Sequence, residues 1–190
     1  MAVEELTGLR VLIADERNKY LEPLALALDQ CGHEVIAREL DTAGVGRATI
    51  EHRPDIAIVA LHEDTEHALD LITLITDEST CPVMALVEDA RPEFVAEAAA
   101  RGIFAYLDSA EEQELRGGID VASQRFREYR GLQSAFARRA RIERTKGVLM
   151  ERHGLDEQEA FERLRSDARS SRRRLIDVVD EILASRPQAG

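Results

Sequence analysis

Five short apolar runs separated by helix-like stretches constrain this chain of 190 residues more than any other feature. The runs are LRVLIAD, HEVIAREL, RPDIAIVAL, CPVMALV and GIFAYLD, beginning at Leu9, His33, Arg53, Cys81 and Gly102. Most are apolar almost throughout instead of alternating with polar residues, which marks strands buried on both faces. Between them lie apolar-periodic segments near Leu21–Cys31, Thr42–His52, Glu66–Asp77 and Pro92–Arg101, with another helix expected to begin near Glu111. Parallel strands need crossover connections, so the pattern predicts an α/β fold: a five-stranded parallel sheet with helices on both faces. Binding sites of such folds lie beyond the carboxyl ends of the strands. Those ends carry Asp15 and Glu16, Ala60 to Asp64, Val87 and Glu88, and Asp108 and Ser109.

From Leu115 the apolar period changes. Leu115, Ile119, Ala122, Phe126, Tyr129, Gln133, Phe136 and Ala140 alternate steps of four and three, the seam of a coiled coil with one polar break. Phe126, Tyr129 and Phe136 are the expected dimer seam. Packing of the same helix on its own domain is the alternative. Gly117, Gly118 and Gly131 each weaken such a helix by about 1 kcal/mol if exposed. Three helices are expected at the end of the chain. The first stops at His153-Gly154. Asp156 and Glu159 have capping-box spacing, with Leu155 as a staple, and the second helix should bury Ala160, Phe161, Leu164 and Ala168. Ser170 or Ser171 should cap the third, which buries Leu175, Val178, Val179, Ile182 and Leu183. The chain therefore divides at 1–122 and 123–190, the second part having a small core.

Charge follows the same division. Residues 1–122 hold 9 Lys+Arg against 26 Asp+Glu, a net of −17, whereas residues 123–190 hold 16 against 11, a net of +5. An acidic body carrying a basic helical tail suggests a polyanion-binding module joined to something else. The start MAVEELTGLR lacks a signal peptide's basic flank and apolar stretch, and no apolar run is long enough to span a bilayer. A cytoplasmic protein without membrane partners is expected, with Cys31 and Cys81 as reduced, buried thiols. No nucleophile with a base, metal-ligand spacing or glycine-rich phosphate loop stands out, so neither an enzyme nor a cofactor is expected. His62 and His67, with Glu63, Asp64 and Glu66, read as a solvated acidic loop in preference to a metal site.

The strand pattern and the acidic pair Asp15 and Glu16 resemble the receiver domain of two-component response regulators, over nearly all of residues 9–122. In that family paired acids hold Mg²⁺, an Asp ending the third strand accepts a phosphoryl group, and a Thr or Ser and a Lys contact it. Counted from Pro54-Asp55, the acceptor position falls on Ala60; the hydroxyl and Lys positions fall on Val87 and Ser109. Ala60 offers no nucleophile, Val87 no hydrogen bond and Ser109 no positive charge, so the resemblance implies a degenerate receiver that aspartyl phosphorylation does not switch. A shifted register would nominate Asp64 instead.

The run from Ala137 to Leu183, including TKGVLMERHGL and EAFERLR, closely resembles the ANTAR domain, the three-helix RNA-binding module of bacterial transcription antiterminators. The resemblance implies dimerisation through the preceding helix and binding of RNA stem-loops. It assigns characteristic positions to Arg139, Lys146, Gly147, Met150, Ala168 and Arg169; the Arg run Arg172, Arg173 and Arg174 adds phosphate-contacting candidates. Thr145 stands where the family has Ala, and Arg172 where it often has Asn. Only two lysines occur, Lys19 and Lys146, which suggests a specific need for an ammonium at the second. The expectation is an antitermination regulator that forms a homodimer and binds structured RNA. A DNA-binding helix-turn-helix regulator, and an adaptor whose acidic domain takes a protein or small ligand, are the alternatives.

Overall fold

The computed structural model describes residues 6–15, 17–39, 41–62, 65–78, 81–87 and 92–185, without the side chains of residues 39, 42, 65–67, 78 and 94. Glu16, Glu63, Asp64 and Glu88 lie outside the described residues, as do the side chains of Glu66 and His67. Two compact units are present, Met1–Glu128 and Tyr129–Gly190.

In unit 1 the five apolar runs become β1 (Arg10–Ala14), β2 (Glu34–Glu39), β3 (Ile56–Leu61), β4 (Val83–Val87) and β5 (Ala105–Leu107). They form one parallel sheet in the order β2-β1-β3-β4-β5. The intervening helices are α1 (Leu21–Gln30), α2 (Thr42–His52), α3 (Thr65–Glu78) and α4 (Pro92–Ala100). The side-chain period of two sends alternate residues of each strand to opposite faces. Val11, Ile13, Ile56, Ile58 and Ala60 join α1 in one core; Leu12, Ala14, Ala57, Val59 and Leu61 join α2, α3 and α4 in the other. Burial on both faces explains the near-continuous apolar runs, and each large side chain so buried stabilises the fold by about 1.5–3 kcal/mol.

The next helix, α5 (Glu112–His153), spans the boundary between the units. Its first turns carry Leu115, Ile119 and Ala122, all at most 1% exposed, into the core beside α1. This part of the expected coiled-coil stripe is therefore internal to unit 1. Phe126 is also engaged there, its ring edge-on to Phe104 at 5.1 Å. Gly118 permits the close approach: a Cβ at that position would lie 2.5 Å from Leu107 Cδ2 and 2.7 Å from Met84 Cε. What reads in the sequence as a helix-weakening residue is a packing requirement.

Unit 2 consists of the rest of α5, α6 (Glu157–Ser170) and α7 (Leu175–Ala184). Its core is Leu149, Ala160, Leu164, Ala168, Val178 and Val179, with Ile142, Leu155, Leu175, Ile176, Ile182 and Leu183 half-buried against it. Gly154 ends α5 in the left-handed conformation, φ +65°, which glycine adopts without strain. The capping box is present: Asp156 Oδ1 accepts from the Glu159 N–H at 2.8 Å, and Glu159 Oε2 from the Asp156 N–H at 2.9 Å. Two expectations are corrected. Phe161 is exposed, with the Arg165 guanidinium 5.8 Å from its ring centroid. Neither serine caps α7, since α6 runs through Ser170 and both hydroxyls donate back to the Asp167 carbonyl. The N-cap is Arg174, which makes no side-chain capping bond. A Ser hydroxyl near a helix end can bond the preceding turn as readily as cap the following helix, and here the back-bond prevails.

Candidate functional site

The basic surface of unit 2 arises from two stretches of sequence. Arg139 and Met150 lie eleven residues apart on α5, close to three whole turns, and Gly147 falls within about 80° of both, so the three share a face. All three are exposed, and no atom lies within 4 Å of where a Cβ on Gly147 would sit. The second stretch is the last turn of α6, which carries Arg169, and the turn from α6 to α7, which carries Arg172 and Arg173; all three are exposed. Arg172 has φ +54°, in the left-handed region. Asn and Gly tolerate that conformation far better than Arg.

The arginines differ in what already holds them. Arg173 pairs with Glu181 and also donates to the Asp177 carbonyl at 3.2 Å, and Arg174 grips the Asp177 carboxylate at 3.0 and 2.8 Å. The hydrogen bond from Arg174 holds the Asp177 carboxyl below the usual carboxylate range. Among the described residues no side-chain hydrogen bond or ion pair engages Arg139, Arg169 or Arg172. Charge not neutralised internally is what an external polyanion can use.

Lys146 is placed differently. Its side chain is 9% exposed, and its ammonium lies 2.7 Å from Glu143 Oε2 and 2.6 Å from Glu157 Oε1. The two partners sit on different helices, so the lysine clasps the first turn of α6 to α5. Hydrogen bonds to Glu143 and Glu157 raise the Lys146 pKa, and the same ammonium lowers that of Glu157. Beside it Thr145 is fully buried, and its hydroxyl donates to the Arg141 carbonyl at 2.8 Å. The scarcity of lysine signals a position needing an ammonium; the partners, 3 residues before it and 11 after, are not legible as partners until the helices are folded.

On α5, Tyr129, Leu132 and Phe136 are 47%, 61% and 70% exposed and follow at steps of three and four. They form an apolar stripe within unit 2, and the long helix fits a coiled coil.

In unit 1 the strand ends gather a second cluster. Asp15, just after β1, is 0% exposed and fully satisfied. Its Oδ1 accepts from the Arg17 N–H at 3.0 Å and lies 2.6 Å from His62 Nε2; its Oδ2 accepts from the Tyr20 N–H at 2.6 Å. The His62 ring stacks on Tyr20, centroids 5.9 Å apart. Burial by itself raises the Asp15 carboxyl, but the bonds from His62 and the two backbone N–H groups outweigh it and leave the pKa below its ordinary value. His62 is thus a buried partner of Asp15, not part of a solvated loop. The pairing follows from the sheet order: β1 and β3 are neighbours, so residues just beyond their ends meet. Ala60 and Val87 are buried in opposite cores, 2% exposed each. Ser109 is half-buried, its Oγ accepting from the Glu111 N–H at 3.4 Å just before α5.

Among the described residues no Mg²⁺ seat is assembled. Such an ion takes an octahedron of oxygen ligands at about 2.0–2.1 Å and needs carboxylate oxygens that can turn to it. Asp15 has committed both of its oxygens to internal donors, and Ala60 has none.

Comparison with known proteins places both units. Residues 130–183 match the family model of the ANTAR domain. The transcriptional regulatory protein PdtaR of Mycobacterium tuberculosis is 29% identical over 191 aligned positions, covering 93% of this chain and 91% of that protein. The aliphatic amidase regulator of Pseudomonas aeruginosa is 40% identical over 58 positions, 30% of each chain. Among solved structures, the signal receiver domain of a modulated diguanylate cyclase from Desulfovibrio desulfuricans superposes with a TM-score of 0.57 at 18% identity, covering 64% of this chain and 98% of that one. The receiver domain of the response regulator NarL from Mycobacterium tuberculosis gives 0.55 at 17%, covering 63% and 98%. These likenesses establish the receiver fold of unit 1.

Proposed function

We propose that this chain, an ANTAR-domain response regulator with a receiver-like N-terminal domain, is a non-enzymatic regulator of transcription antitermination that acts by binding structured RNA. The observation that carries the reading is the ANTAR match at residues 130–183 together with the unengaged, exposed Arg139, Arg169 and Arg172 on that same unit. The names of its relatives, a transcriptional regulatory protein and an amidase regulator, support a regulatory role. Arginines on helix faces and a turn suit phosphates held in place by a folded stem-loop. Lys146 serves the surface by fixing α6 on α5, since contact with RNA requires its ammonium to leave two carboxylates. Gly147 and Met150 leave an open patch beside Arg139 on which an RNA backbone can approach closely.

The receiver-like unit transmits no aspartyl phosphate in this reading, because Ala60 occupies the acceptor position and Val87 and Ser109 replace the hydroxyl and the lysine. Acetyl phosphate with Mg²⁺ should leave the intact mass unchanged; an adduct mapped to Asp64 refutes this. A second copy of the chain is the partner for the stripe of Tyr129, Leu132 and Phe136, since a heptad stripe is self-complementary. Phe136→Glu should abolish the dimer in light scattering while leaving the helical content intact. Loss of helix with the dimer would show that the stripe packs within the monomer.

The decisive experiment is a gel shift with a stem-loop RNA and a DNA duplex of equal charge. RNA should be preferred, and Arg169→Ala with Arg172→Ala should weaken RNA binding by about 1–3 kcal/mol per contact. Preference for the duplex favours a DNA-binding regulator. If Arg186→Ala matches the double substitution, the attraction is diffuse charge.

A further inference from the structure

Asp15 is an acid at a receiver's metal-binding position whose oxygens are already spoken for. Two of its three donors are backbone N–H groups, from Arg17 and Tyr20, which any chain following this turn would supply. The third is the His62 ring, 2.6 Å away and itself 7% exposed. His62 comes two residues after Ala60, from a strand directly paired to β1. The site thus lacks the β3 carboxylate that a metal would bridge to and gains a nitrogen base in contact with the carboxylate that remains.

We propose that His62 is a built-in replacement for the divalent cation of a receiver, seated on Asp15 so that its ring nitrogen occupies the carboxylate face a metal would use and closes the site to metal. The inference rests on reading unit 1 as a receiver. Imidazole is suited to the position. It is compact and planar, its Nε2–H donates to the carboxylate, and one face stacks on Tyr20 with the planes 15° from parallel. The Lys19 ammonium lies 5.0 Å from the centroid of that same Tyr20 ring, so a positive charge stands near the cluster. Oδ1 already accepts from the Arg17 N–H as well as facing Nε2, so both of its lone-pair sites are taken and a metal ion bound there would have to displace one of the two. Removing the imidazole leaves a buried carboxylate short of a partner, which is the condition under which a carboxylate recruits a cation.

Mn²⁺ binding to the full chain, followed by electron paramagnetic resonance of the free ion, tests this with four proteins. The wild type, Ala60→Asp and Ala60→Asp/His62→Ala are titrated, and the double variant again with Asp15→Asn. The wild type and Ala60→Asp should show no Asp15-dependent site. The double variant should bind Mn²⁺ at least about tenfold more tightly than Ala60→Asp, and Asp15→Asn should abolish that gain. If Ala60→Asp binds as tightly as the double variant, His62 does not close the site: the proposal falls and the receiver reading stands. If the double variant is folded by circular dichroism and binds nothing, the receiver reading of this site fails and the proposal with it. Should the double variant not fold, the wild type alone decides. Its Arg17 and Tyr20 amide resonances should be indifferent to Mg²⁺ at about ten millimolar, and a saturable shift of either overturns the proposal.

Discussion

Each unit of this chain seats a buried nitrogen-bearing side chain against a carboxylate, and the two contacts have different support. Asp15–His62 sits at the carboxyl ends of two central strands of a sheet whose two faces are both covered by apolar helices. Lys146 with Glu143 and Glu157 sits beside a core of six buried residues, two of them alanines. In unit 1 the strands would associate whatever lay at their ends, so the polar cluster is free to be specialised. In unit 2 the clasp, the capping box and the core share the task of holding three helices together. A small domain makes structure out of polar contacts that a larger one can give over to function.

The largest test of this contrast is a core truncation in each unit. Leu24→Ala in unit 1 and Leu164→Ala in unit 2 both remove fully buried side chains and should cost about 2–5 kcal/mol. At about 0.05–0.15 kcal/mol per residue, a unit of roughly 60 residues holds only about 3–9 kcal/mol. Leu164→Ala should therefore bring α6 and α7 to rapid hydrogen exchange while the sheet of unit 1 stays protected. Retained protection in α6 would mean that unit 2 is held by more than its own core.

The two adjacent glycines of α5 sharpen the comparison within a single turn of helix. Gly118→Val forces atoms into Leu107 and Met84 and should destabilise unit 1 by about 1–3 kcal/mol. Gly117, where a Cβ meets nothing within 4 Å, should gain up to about 1 kcal/mol as Ala. Equal effects in thermal melts would contradict the docking of α5 against β4 and β5. Of similar size is the loss of the cap: Asp156→Ala should cost unit 2 about 1 kcal/mol and fray the start of α6, visible as faster exchange there.

The smallest effect is on acid stability. Glu157 and Asp177 have lowered pKa values in the folded chain, each through a basic partner. An acid that is easier to ionise when folded contributes stability that is present above its unfolded pKa. That contribution is lost as pH falls from the ordinary carboxylate range through the lowered folded value. Unit 2 should lose stability over that interval, and Glu157→Gln should flatten the dependence in acid titrations followed by circular dichroism. An unchanged slope would mean that the exposed Glu157 is screened by solvent and the clasp rests on Glu143.

Much of the architecture was legible because it depends on local period and local chemistry. Continuous apolar runs announced strands buried on both faces; Gly154, Asp156 and Glu159 announced the end of one helix and the start of the next. α2 spans the residues its periodicity predicts. The errors arose where one pattern serves two ends. The heptad stripe starting at Leu115 is continuous in sequence, yet Leu115, Ile119 and Ala122 face the core of unit 1 while Tyr129 and Phe136 are exposed. A helix of 42 residues carries one period past two different neighbours, and the period cannot say where one ends and the other begins. Ser170 and Ser171 looked like caps for the same reason, since a hydroxyl can bond in either direction along the chain.

The candidate sites divide in the same way. Sequence alone determined that Ala60, Val87 and Ser109 stand at or just beyond the ends of apolar strand runs, and that positive charge gathers in the last third of the chain. Only the tertiary structure decided which charges are available. It tied Lys146 and Arg174 to carboxylates, left Arg139, Arg169 and Arg172 exposed, and set His62 against Asp15 across 47 residues of sequence. The reason is the range of the forces involved. Burial and helix period act between residues a few positions apart and leave their mark on the order of amino acids. A charge pair requires only that two atoms lie within about 4 Å, and the fold, not the spacing, brings them there.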